Sequence, residues 1–228
     1  MIRLTMKIVA LGAALLGVGC GRSDAAREGR PAARAHNASR SSASDTTLDR
    51  IADRARIQGN DKATLWVVEV SDFQCPYCKR WHDETYPTIK RDYVDAGKVR
   101  LAYVNFPLPG HKNAWPAAEA AMCAGLQGKF WEMHDSLFSS RERWAESASP
   151  AAMFDSLAVG IGVKLEPFHR CIAGKQLRAL IEADVDRATE SGVSSTPTIM
   201  IGKTVIRGAE PTHVFRRAID SALTRGGE

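Results

Sequence analysis

Apolar residues along the chain fall into short dense runs and longer stretches of helical spacing. Leu65-Trp66-Val67-Val68-Glu69-Val70 is nearly continuous, the pattern of a strand buried on both faces of a sheet. From Cys75 onward, Tyr77, Trp81, Tyr86 and Ile89 recur at near-helical intervals. Pro76 suits the first position of that helix, because it lacks the N–H that would go unpaired there and its φ is preset. Pro87 predicts a kink or a restart. Val99 to Phe106 reads as a second buried strand, so strand, helix and strand follow as a βαβ unit. Upstream, Leu48, Ile51, Ala52 and Ala55 predict a short amphipathic helix over 48–58, before Gly59-Asn60.

Residues 111–192 are helical in pattern. Pro116 opens one helix, and Phe130, Met133, His134, Leu137 and Phe138 mark the apolar face of another. Ser149-Pro150 reads as an N-cap with a first-turn proline. A last helix through Leu177, Leu180, Ile181 and Val185 ends at Gly192. Strand signals return at Thr198–Ile201 and Thr204–Ile206 with Gly202-Lys203 as a tight turn between them. Residues 211–224 predict a closing helix with Val214, Phe215, Ile219 and Leu223 on one face. The order of elements predicts an α/β fold carrying a helical insertion, without internal repeats.

Composition changes the picture mainly at the N-terminus. The chain has 228 residues and a net charge of +5. Residues 1–56 hold ten Lys/Arg against five Asp/Glu, whereas 57–228 hold 21 of each. The basic excess is therefore an N-terminal property, and no nucleic-acid partner is expected for the body. Arg3 and Lys7 precede an apolar run from Ile8 to Gly19 and then Cys20. Twelve residues make about 18 Å of helix, short of a hydrocarbon core of about 30 Å. The span suits a signal peptide over 1–20. Leu16-Gly17-Val18-Gly19-Cys20 resembles a bacterial lipoprotein signal, in which Cys20 would be lipidated; a plain secretory signal cut elsewhere is the alternative. From Gly21 to Thr47 there is no Val, Ile, Leu, Met, Phe, Trp or Tyr, so 21–47 is expected to be a disordered tether.

The informative chemistry is Cys75-Pro76-Tyr77-Cys78, which follows a strand and opens a helix. A thiol at a helix N-terminus faces unpaired N–H groups and the positive end of the helix dipole, both favouring thiolate. The thiolate is the nucleophile. Cys78 lies one turn further in, so Cys75 is expected to attack or be attacked and Cys78 to resolve the mixed disulfide. A zinc set of Cys75, Cys78 and His82 with Cys123 or Cys171 is the competing reading. It lacks a second paired-cysteine motif, and no metal or cofactor is expected. Lys79, Arg80 and His82 are expected on a solvated helix face. The remaining histidines, including His111 and His134, sit in no motif.

Val68-Glu69-Val70-Ser71-Asp72-Phe73-Gln74-Cys75-Pro76-Tyr77-Cys78 resembles the active-site segment of the DsbA-like branch of the thioredoxin superfamily. Gly192-Val193-Ser194-Ser195-Thr196-Pro197-Thr198-Ile199 is similar to that family's cis-proline loop, and Cys123 to Trp131 resembles its helical insertion. The resemblance implies a thioredoxin fold with an inserted helical domain over 48–228, the insertion at about 111–192. It implies extracytoplasmic thiol–disulfide exchange with unfolded or cysteine-containing exported proteins and a membrane redox partner. Thr196 would present backbone groups to substrate and Pro197 shape the groove. Glu69, six residues before Cys75, would relay the proton of Cys78. Pro76 and Tyr77 would tune the redox poise; they depart from the Pro-His of the best-known oxidases. Cys123 and Cys171 remain for a structural disulfide, with two buried thiols as the alternative. Three activities stay open: an oxidase, a reductase or isomerase, and a non-catalytic Cu(I) carrier. No dimerisation domain is evident, so a monomer is expected.

Overall fold

The computed structural model describes residues 47–226. The expectations for the signal peptide, for Cys20 and for all but the last residue of the tether lie outside the described residues. Helix α1 (47–55) leads into β1 (Ile57–Gly59), and β2 (Leu65–Ser71) is followed by α2 (Pro76–Glu84) and α3 (Tyr86–Ile89). The turn after α3 is π-helical, over Lys90–Val94, and β3 (Val99–Asn105) completes the βαβ unit. Six helices follow: α4 (Ala114–Gly125), α5 (Phe130–Ser139), α6 (Arg141–Trp144), α7 (Ala151–Gly160), α8 (Leu165–Ala173) and α9 (Arg178–Glu190). Strands β4 (Thr198–Ile201) and β5 (Thr204–Arg207) and helix α10 (Thr212–Thr224) close the chain. No helix among the described residues is long and apolar enough to cross a membrane.

The sheet has the order β1-β3-β2-β4-β5. β2 and β3 run parallel, with Leu65 beside Val99 and Glu69 beside Tyr103, while the other pairings are antiparallel. One face carries Leu65, Val67, Val99, Leu101, Ile199 and Ile201. It packs against Trp81, Tyr86, Ile89, Phe215 and Ile219 from α2, α3 and α10. The opposite face carries Val68, Val70, Val104 and Met200 and meets Val185, Ala188 and Val193, on α9 and just beyond it. Gly192, at φ 78°, ends α9, and Val193 N–H returns to Ala188 C=O.

Three sequence expectations need correction. β2 and β3 are sealed on one face only: Trp66, Val68, Arg100, Ala102 and Val104 are half-buried, because α9 covers only part of their side. The helix expected over 48–58 stops at residue 55, and Ile57–Gly59 instead form an edge strand antiparallel to β3. That strand is held by its neighbour rather than by any pattern of its own. Ser149 lies outside α7, which starts at Ala151 with Pro150 at the cap position and no side-chain cap.

The insertion packs around α4, whose Ala114, Ala117, Ala118, Ala120, Ala121 and Ala124 are buried. Small side chains let helices approach closely, and α4 contacts α5, α7, α8 and α9. A disulfide joins Cys123 on α4 to Cys171 on α8, with Cα atoms 5.8 Å apart. Phe73, Cys75, Cys78 and Tyr103 belong to the same apolar cluster as the insertion's Met133, Leu137, Phe138 and Trp144. The cysteine pair therefore lies at the seam between sheet and insertion.

Candidate active site

The loop from Asp72 to Gln74 turns β2 into α2. Cys75 is the N-cap of α2, at φ −68° and ψ 127°, and Pro76 occupies the first turn. Cys75 N–H donates to Asp72 C=O at 3.0 Å, and Lys79 N–H donates to Cys75 C=O at 3.1 Å. This geometry turns the Cys75 side chain towards the free N–H groups of the helix start. The buried Asp72 carboxylate braces the loop. It accepts from Gln74 N–H (2.7 Å), Leu108 N–H (2.9 Å) and His111 Nδ1 (2.6 Å).

Gln74 fastens the loop to the insertion. Its Nε2 donates to Ala145 C=O at 2.7 Å, and its Oε1 accepts from Asn113 N–H at 2.7 Å. Asn113 Nδ2 donates to the carbonyls of Trp144, Ala145 and Ser147. Arg141 Nε donates to the Gln74 carbonyl, immediately ahead of Cys75.

Cys75 and Cys78 are both free thiols, and their environments push them apart. A hydrogen bond from Cys78 lowers the Cys75 thiol from 9.0 to about 6. Burial opposes that drop, and Thr196 and the N–H groups of Cys78 and Tyr77 reinforce it. Desolvation pushes fully buried Cys78 well above its ordinary value, and its bond to Cys75 and the Cys75 charge add to the rise. Ser71 and the Asp72 N–H oppose it. Cys75 is thus the thiolate and Cys78 the thiol that donates to it.

The Thr196-Pro197 bond is cis. The Thr196 carbonyl lies 3.5 Å from Cys75 Sγ, and both Thr196 and Pro197 are buried. Pro76 and Tyr77 are exposed at the mouth of the site, with the Arg80 guanidinium 5.2 Å from the Tyr77 ring centroid. Glu69 is fully buried on β2 beside Tyr103 and Ile199, and neither carboxylate oxygen has a hydrogen-bond partner among the described residues.

His82 departs from the expectation of a solvated face. It lies one turn beyond Cys78 on the inward side of α2 and is buried. Its Nδ1 meets Asp83 at 2.9 Å and its Nε2 meets Asp135 at 3.3 Å. Burial disfavours its protonation, yet these carboxylates raise its affinity for a proton. The zinc set considered above is not brought together, since His82 turns to carboxylates and Cys123 is bonded to Cys171. Asp72, His111, Asn113 and Arg141 escaped the sequence reading; Asn113 and Arg141 meet the loop from 39 and 67 residues away, without a local motif.

The thioredoxin family model matches residues 52–221. The probable disulfide bond formation protein D of Bacillus anthracis is 29% identical over 175 residues, covering 73% of this chain and 77% of that protein. The Na(+)/H(+) antiporter NhaA 3 of Salinispora tropica is 34% identical over 172 residues, 75% of this chain and 25% of that protein. The chain thus spans about a quarter of the length of this antiporter. Oxidised BdbD from Bacillus subtilis superposes with a TM-score of 0.68 at 26% identity, covering 74% of this chain and 92% of that one. α-DsbA1 of Wolbachia pipientis shares the fold at a TM-score of 0.68 and 23% identity, over 75% of this chain and 91% of that one. The family match spans both the cysteine pair and the cis-proline loop, and the chain belongs to the thioredoxin family.

Proposed function

We propose that this chain works as an oxidase, giving its Cys75–Cys78 disulfide to exported proteins that carry reduced cysteines. The observation that carries this reading is the asymmetry of the pair: Cys75 held down to about 6, Cys78 pushed up. A substrate thiolate attacks Cys75 Sγ, the Cys75–Cys78 bond breaks, and Cys78 leaves as a thiolate that takes up a proton. The substrate's second thiolate then attacks the substrate sulfur bonded to Cys75, a substrate disulfide forms, and Cys75 departs as a thiolate. A low-pKa thiolate leaves fast, and a stabilised reduced form makes the couple oxidising. Glu69 supplies and recovers the Cys78 proton in this scheme. The Thr196 backbone beside Cys75, with Pro197, is the docking edge for an extended substrate segment.

Further parts of the proposal rest on sequence. Residues 1–20 direct export to the cell envelope, Cys20 carries a lipid anchor, and 21–47 form the tether. A monomeric domain over 48–228, with its insertion at about 111–192, is reoxidised by a membrane redox partner. Cys123–Cys171 staples the insertion. Acid-trapping the redox state of Cys75 and Cys78 in living cells tests the direction of exchange. A mostly oxidised pair is expected; a mostly reduced pair would assign the reductase reading. Mass analysis of the mature N-terminus is expected to find lipid on Cys20, and an unmodified start downstream of it would remove the anchor.

A further inference from the structure

Behind the cysteine pair lies a buried box of rings with polar atoms that have no hydrogen-bond partner among the described residues. His134 on α5 is fully buried. Its ring sits 5.3 Å from that of Tyr103, 5.4 Å from His82 and 5.3 Å from Tyr86, centroid to centroid. The negative charge of Glu69 acts on those same three residues, helping to raise Tyr103, Tyr86 and His82. Cys78 also acts on Tyr103. Glu69 lies beside Tyr103 in the β2–β3 pairing, and the His134 ring meets the Tyr103 ring edge-on, so Tyr103 is the neighbour that Glu69 and His134 share.

The hydrogen bonding of His134 is one-sided. Its Nδ1 lies 2.8 Å from Asp135 Oδ1. An ionised carboxylate only accepts, so Nδ1 carries the proton. Nε2 is buried and has no partner among the described residues, like both oxygens of Glu69 and the Tyr103 hydroxyl. Buried polar atoms left unpaired are rare and call for an explanation, of which a catalytic role is one. His82 cannot play the same part, because both of its nitrogens already face carboxylates. Asp135, whose side chain is half exposed, links the box to solvent. Burial would raise its carboxyl, but hydrogen bonds from His134 and His82 hold it well below the usual carboxylate range.

We infer that His134 carries protons between Glu69 and the surface carboxylate of Asp135, connecting buried Cys78 to bulk water. The inference rests on the relay reading of Glu69. When Cys78 must attack a mixed disulfide on Cys75, its S–H proton passes to a Glu69 oxygen. Glu69 passes a proton to His134 Nε2, and the Nδ1 proton leaves through Asp135 to water. The new bond is Cys75–Cys78, the broken bond is the mixed disulfide, and the departing thiolate keeps the electron pair. The reverse sequence returns a proton to Cys78 when it is the leaving group.

Mixing reduced protein with 5,5′-dithiobis(2-nitrobenzoate) separates the steps. The first thionitrobenzoate released reports attack by Cys75, and the second reports resolution by Cys78. His134→Phe keeps an aromatic ring in the box without a nitrogen. It is expected to leave the first release within about twofold of the parent and to slow the second at least about tenfold. Glu69→Gln is expected to do the same, and the double variant to be no slower than the slower single one. A second release at parental rate in His134→Phe, or multiplied effects in the double variant, overturns the role of His134. Parental resolution in Glu69→Gln overturns the Glu69 reading instead, and this inference with it. A measurement on the unaltered protein guards against a misfolded variant. The ¹⁵N signals of His134 in the reduced state are expected to show a bare Nε2 that shifts when Cys75 and Cys78 are oxidised. A protonated Nε2 indifferent to oxidation would refute the relay.

Discussion

Two sulfurs separated by two residues acquire opposite characters because one caps a helix and the other lies beneath it. The consequence for pH follows from the depressed Cys75 thiol, which moves from 9.0 to about 6. Carbamidomethylation of Cys75 in the reduced protein is expected to reach half its maximal rate near pH 6, while Cys78 stays unreacted below pH 9. A midpoint near 9.0, the ordinary value, would show that the helix start and Cys78 do not activate it. The sign for stability is set by the same shift. A thiol depressed on folding stabilises the reduced protein fully above about pH 9, and that contribution disappears as pH falls through about 6. The advantage of reduced parent over Cys75→Ala in thermal melts is therefore expected to shrink from pH 8 to pH 5. At this scale the cysteine pair was legible because proline and helix start are local signals. His134 was not, because a histidine between Met133 and Leu137 has the same spacing as any core residue. Its one-sided hydrogen bonding exists only once β3 and α2 are folded against α5.

Among the elements, the βαβ unit, the β4–β5 hairpin and the closing helix were readable because each has its own hydrophobic period. β1 was not: three residues carry no period, and only the exposed ladder of β3 makes them a strand. The half-buried side of β2 was equally unreadable, since coverage by α9 is a property of the pair. The Cys123–Cys171 bridge closes a separation of 48 residues. Restricting the unfolded chain by a loop of that size contributes roughly 4 kcal/mol in the loop-entropy account. Replacing both cysteines by alanine is expected to lower unfolding free energy by about 2–4 kcal/mol in urea titration, with the Cys75 alkylation midpoint unchanged. A loss under about 1 kcal/mol would mean that packing around α4 alone sets the insertion's shape.

The whole molecule is held across its seam by charge as well as by packing. Asp184 on α9 is fully buried and bonds Arg56 after α1, Arg187 on its own helix, and both the backbone and side-chain nitrogen of Asn105 at the end of β3. Removing one partner of a buried pair leaves the other charge uncompensated, at about 3–5 kcal/mol. Asp184→Ala is expected to lose that much stability and to loosen amide-exchange protection at the β3 end first; a loss within about 0.5 kcal/mol, the scale of an ordinary surface change, would show that solvent readily replaces the clamp. None of this network was visible in sequence, because its members come from three separate segments. The ties from Asn113 and Arg141 to Gln74 cross the same seam one residue ahead of Cys75. A miniature reagent trimmed to the strands and the cysteine-bearing helix would therefore keep both sulfurs yet release the peptide that aims them. Any shortened version of this scaffold has to carry the helical cap along.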